Sequence, residues 1–167
     1  MTCTRTRLGV IAEVLAAASV IASLAMVAAE LSENAKATRA AAASEVLISL
    51  SEWYTDVSVQ GRGGSLFAEG MRDPGALGRH EQVDFVFMLH GGMLLYQNAF
   101  VLGQEGALDN TLRAVTTETL SAIVHEAGFQ FYWGQRRMVF VPGFRDYVDG
   151  LMTSEKSAIS DLYEDPR

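Results

Sequence analysis

The chain has one cysteine, Cys3, and three prolines in 167 residues, and between Gly9 and Gly61 it has neither glycine nor proline. A single cysteine excludes an intrachain disulfide and a thiolate zinc cluster. Scarce proline beside abundant Ala, Leu and Met favours helices over sheet. Positive charge is also short: 20 Asp and Glu stand against 13 Lys and Arg, a net charge of −7. Phosphate backbones need clustered cations, and the only close basic pairs are Arg5 with Arg7 and Arg136 with Arg137. Nucleic acid is therefore not an expected partner. A chain of this length suits one compact domain plus an anchor, not two independent cores.

What the sequence does have is a long apolar start. Leu8 to Ala28 are 21 residues carrying one charge, Glu13. At about 1.5 Å per residue that length matches a hydrocarbon layer of roughly 30 Å. Arg5 and Arg7 precede it; Glu30, Glu33, Lys36 and Arg39 mark the return to water. The expected reading is a single membrane span, with Glu13 protonated, near the interface or paired. Two rivals share these features: a buried helix of a soluble assembly, and an export signal cut near Ala29, where Val27, Ala28 and Ala29 supply small residues. Against cleavage, the apolar core exceeds the usual length and runs without a turn former into "ELSENAKATRAAAASEVLISL".

Beyond Ala29 the spacing becomes two-faced. Leu31, Ala35, Thr38 and Ala42 lead into Val46, Leu50, Trp53 and Val57, flanked by Leu47 and Tyr54. Such a stripe needs a packing partner along one side. The spacing predicts one continuous rod of about 75 Å to residue 58. Its far half should dock on a domain, with Trp53 and Tyr54 in the contact. Small residues at four-residue intervals (Ala12 and Ala16, Ser19 and Ser23) offer a close-approach surface for self-association or another span.

After the loop "VQGRGGS", which lacks P-loop spacing, a short helix is expected over Ser65–Met71, then a turn at Asp73, Pro74 and Gly75. A helix from His80 to about Leu102 is apolar almost all round, as in the centre of a bundle or in a second span; Asp84, His90, Gln97 and Asn98 favour the bundle. Gly91 and Gly92 within it predict close contact with the rod, or a kink. Asp109 should cap a helix from Asn110 to about Ala127, with Leu112, Val115, Leu120, Ile123 and Val124 inward. A short helix around Trp133 and another after Pro142 complete the domain.

The chain resembles a broad group of uncharacterised bacterial proteins with an amino-terminal membrane helix continuing into a small helical domain. The matching positions are Leu31, Asn34, Ala37, Arg39 and Ala40, then Tyr96 to Ala99, then the segment "YWGQRRMVFVPGFRDYVDGLM". A glutamate often precedes the asparagine in that group, whereas Gln97 stands here, which removes a carboxylate from that site. The resemblance implies an architecture and no known activity.

No H-x-x-x-H pair, E-x-x-H pattern or nucleophile elbow occurs. No catalytic residue, metal or cofactor is therefore assigned. His90, Tyr96, Gln97 and Asn98 form the candidate polar or ligand site, read first as a polar knot fastening the central helix. Arg136 and Arg137, next to Phe131 and Trp133, are a candidate interaction surface for carboxylates or lipid phosphates.

The expected protein is all-α, with one long transmembrane helix extending into a small bundle. Residues 1–29 form the anchor, 30–153 the helical domain and 154–167 a mobile tail. Its expected partners are the lipid bilayer and a membrane protein or a second copy. Its expected place is the bacterial inner membrane, in one pass, with the amino end inside. Structural or protein-interaction work is the first reading of its function. A tethered ligand-binding domain or enzyme is the alternative, and an exported soluble protein the third.

Overall fold

A computed structural model describes the backbone over residues 3–59 and 61–155 and the side chains over 9–59 and 61–155. Cys3, Arg5 and Arg7 lie outside the described side chains, and the expected tail beyond residue 155 lies outside the described residues. The protein is all-α: one long apolar amino-terminal helix, then a small helical bundle. Helix α1 spans Cys3–Val59, α2 Gly63–Arg72, α3 Arg79–Gln104, α4 Asn110–Ser121, α5 Ala127–Arg136 and α6 Pro142–Thr153, with a 3₁₀ turn at Arg137–Val139 before α6. The coarse architecture implied by the resemblance is thus present.

The chain forms two compact units, Met1–Ala40 and Ala41–Arg167. The first is a single stretch of α1, and no side chain described in it is buried. Val10, Ile11, Val14, Leu15, Val20, Ile21, Leu24, Met26, Val27 and Leu31 are all more than half exposed. Hydroxyls along it bond back to the helix: Ser19 Oγ donates to the Ala16 carbonyl at 2.8 Å and Ser23 Oγ to that of Ser19 at 2.9 Å.

The second unit contains the core. The later part of α1 contributes Val46, fully packed, with Leu50, Trp53 and Val57 against the main cluster, as the four-three-four spacing predicts. Helix α3 is the central helix, burying Phe85, Val86, Leu89, Met93, Tyr96 and Ala99. Phe129, Tyr132 and Trp133 of α5 and Phe144 and Val148 of α6 close the core around it. At the start of α3 the glutamate half of a capping box is formed: the Gly78 amide donates to Glu81 Oε2 at 2.9 Å. Asp109 Oδ1 accepts from the amides of Thr111 and Leu112, as its place before α4 predicts, and Pro142 opens α6.

Close crossings fix where glycine is needed. A Cβ on Gly92 would stand 2.7 Å from Trp53 Cζ2, and Trp53 Nε1 donates to the Met88 carbonyl at 2.9 Å. Between the two expectations for this glycine pair, close contact is the one present. A Cβ on Gly128 would meet the Gly70 carbonyl and stand 2.5 Å from Met71 Cα, so α5 crosses α2 on bare backbone. Gly61 and Gly106 turn the chain with φ of +56° and +70°.

Two expectations are corrected. Helix α4 ends at Ser121, not near Ala127; hydrogen bonds from Ile123 and Val124 to the Leu120 carbonyl tighten the chain into a turn before Gly128 meets α2. Val115, expected inward, is 55% exposed, because a groove separates α4 from α1 where it stands.

Candidate functional site

The four polar residues of α3 do not converge on one point. His90 is half-buried, and its Nδ1 lies 2.8 Å from Tyr132 Oη, with its ring against Phe140 at a centroid distance of 5.5 Å. Burial first, and the Arg136 charge second, hold the His90 imidazole below its ordinary range. Burial raises the Tyr132 phenol well above its usual value. His90 Nδ1 and the Tyr132 hydroxyl share one hydrogen bond, whose donor follows from the imidazole tautomer. The pair is a polar strut between α3 and α5.

Two turns along, Gln97 Oε1 accepts from the Val141 amide at 2.9 Å, tying α3 to the chain just before α6. Tyr96 is buried, and its hydroxyl lies 3.4 Å from that of Tyr54. Asn98 is exposed on another face. His90 and Gln97 therefore fasten the central helix to the carboxy-terminal elements. Tyr96 reaches a groove.

That groove, about 440 Å³, has α1 as one wall and α4 as the other, with Leu47, Leu50, Tyr54, Leu112 and Val115 along them and Tyr96 lining it too. Four of its hydroxyls are already used: Thr55 donates to Ser51, Ser58 to Thr55, Thr116 to Leu112 and Thr119 to Val115, all to backbone carbonyls. The surface it presents is mainly apolar. A second cleft of about 560 Å³ lies beside Trp53, Gly91 and Phe87, with Asp56 and Asp84 on it. Among the described residues no three His, Cys, Asp or Glu side chains gather as a metal would require.

The candidate basic pair separates into two roles. Arg137 grips Asp149 with both Nε and Nη2, with Nε 2.9 Å from Oδ2, and Trp133 Nε1 donates to Asp149 Oδ1 at 2.8 Å. The Arg137 hydrogen bond holds the Asp149 carboxyl below the usual carboxylate range, and the same bond raises Arg137. Arg137 is thus a clamp between α5 and α6. Arg136, half-buried, faces a different cleft. Asp149 had no mark in the sequence; its partners stand twelve and sixteen residues away, and only the turn after α5 brings them together. Ala12 and Ala16, with Ser19 and Ser23, lie exposed on the first unit.

No family model, no curated protein and no solved structure matches this chain.

Proposed function

We propose that the protein is a single-pass membrane protein whose helical bundle serves as a structural or protein-interaction element, as a subunit of a membrane complex. The carrying observation is the first unit, in which ten large apolar side chains lie open on all sides of one helix. The nine Leu, Ile and Val residues of Leu8–Ala28 favour insertion by about 3–5 kcal/mol together, enough to offset a single carboxylate placed away from the bilayer centre. Residues 1–29 would be the anchor and 30–153 the helical domain. Arg5, Arg7 and the terminal amine against Lys36 and Arg39 tilt the amino end slightly to the inside and the domain to the outside of a bacterial inner membrane. The stripe of Ala12, Ala16, Ser19 and Ser23 is where a second span, or a second copy, would approach.

Carbonate and high-salt washing of membranes tests the anchor: the intact chain should stay with the bilayer. Quantitative release overturns the reading. Intact mass separates the third reading, since a mature chain starting at or near Glu30 would mean an exported protein.

The two larger clefts favour a second reading, a tethered ligand-binding domain, because both have the size of small-molecule pockets. A small molecule that co-purifies in stoichiometric amount and is lost on Tyr96→Ala without unfolding would establish it.

A further inference from the structure

A third cleft, about 160 Å³, is lined by Arg79, Gln82, Val83, Val86, Phe131 and Arg136, with Gln135 beside them. Arg79 is the first residue of α3 and Arg136 the last of α5, so two helix ends bring two guanidinium groups to one hollow. No acid lines this cleft. Glu81 takes Arg62 at 3.0 Å and the Gly78 amide at 2.9 Å, and Asp84 lies on the cleft beside Trp53. Arg62 and Arg137 have carboxylate partners, whereas among the described residues Arg79 and Arg136 have none. In a chain with 20 acids and 13 bases, two arginines without a carboxylate on one cleft leave room for an anion from outside. The Arg136 charge is felt inside the fold, where it acts on both His90 and Tyr132.

The floor is apolar: Val86 is buried, and Phe131 and Val83 complete it. Gln82, whose amide nitrogen donates to the Pro74 carbonyl at 2.8 Å, forms part of the wall. The volume is too small for a helix or a drug-sized body, and suits one oxyanion with a few carbons. Guanidinium forks are the groups that hold carboxylate or phosphate oxygens in two-point fashion.

We propose that Arg79 and Arg136 form a binding site for a phosphate ester with a small apolar substituent, the arginines taking the oxyanion and Val83, Val86 and Phe131 the carbon part. The site does not depend on the membrane anchor. Such an ester reaches it either as a soluble molecule or as a lipid headgroup.

The test uses the full chain in an uncharged detergent, with phenyl phosphate as probe, binding followed by calorimetry and the His90 ring by NMR. Phenyl phosphate should bind, more tightly than inorganic phosphate. It should also raise the His90 titration midpoint, because the bound anion offsets the Arg136 charge. Arg79→Met and Arg136→Met should each weaken binding by about tenfold or more, Arg136→Lys should keep much of it, and Arg113→Met, on α4 and outside the lining of this cleft, should leave it unchanged. Phosphatidylglycerol vesicles that displace the probe assign the site to lipid headgroups; failure to displace it assigns the site to soluble esters. The proposal is overturned if the wild-type chain ignores millimolar phenyl phosphate, or if the two methionine variants, folded by circular dichroism, bind it as the wild type does.

Discussion

The indole of Trp53 lies against Gly92, and the contact leaves no room for a methyl group: a Cβ there would approach three atoms of the ring, Cζ2, Cε2 and Cη2, within 3.1 Å. The same indole donates to the Met88 carbonyl, so it both packs on α3 and bonds to it. Gly91, its neighbour, would bring a Cβ no closer than 3.4 Å to the ring.

The two glycines should therefore respond differently. Gly92→Ala should destabilise the bundle by about 1–3 kcal/mol through overpacking. Gly91→Ala should be near neutral, since ordinary contact and a gain in helix propensity of about 0.5–1 kcal/mol act in its favour. Urea unfolding of the full chain in uncharged detergent, followed by Trp fluorescence, compares them. Equal losses at both positions would contradict the geometry.

A sharper contrast is expected between Gly128 and Gly134. At Gly128 the obstacle is the backbone of Gly70 and Met71, which cannot rotate away, so Gly128→Ala should cost about 3 kcal/mol or more or prevent folding. Nothing lies within 4 Å of a Cβ at Gly134, also in α5, and Gly134→Ala should be neutral or stabilising. The yield of folded protein and the thermal midpoint read both outcomes.

His90 is kept neutral in the fold by burial and by Arg136, so its folded pKa lies below its unfolded value. The linked stability is complete above about pH 6.5 and declines as the pH falls through the folded value. Tyr132→Phe removes the hydrogen-bond partner of Nδ1 and should cost about 1–3 kcal/mol at neutral pH. Denaturation curves at several pH values should show this slope in the wild type and lose it in His90→Gln.

Asp149 gives the opposite end of the scale. Its folded pKa is lowered, first by the Arg137 hydrogen bond, so its contribution is present above the ordinary carboxylate value of about 3.9 and disappears as acid protonates the folded carboxylate. Asp149→Asn keeps an oxygen for Trp133 Nε1 but loses the ion pair. The gap in stability between wild type and this variant should be constant near neutrality and close in acid. A gap that persists after full protonation would mean that packing, not charge, distinguishes them.

These contacts also mark how far the sequence could be read. The rod, the Asp109 cap, the Pro142 start and the docking stripe of Val46, Leu50, Trp53 and Val57 rest on neighbours within a turn or two, and local spacing carries them. The Gly91–Gly92 pair announced that something would come close, though not that Trp53 would be the ring. What spacing could not carry was pairing across the fold. Tyr132 as the partner of His90, Asp149 as the partner of Arg137, and Arg79 brought to the cleft of Arg136 each join residues from different helices. Val115 failed for the same reason: its period places it on the inner side of α4, but whether α1 closes over that side is a property of both helices.

Ser19 and Ser23 have already given their hydroxyl protons to carbonyls of their own helix. A neighbouring helix laid along that stripe would find no free donor there. Any preference for one neighbour over another would have to come from how near the two backbones can lie, and so would be sensitive to a single added methyl group and indifferent to the loss of either oxygen.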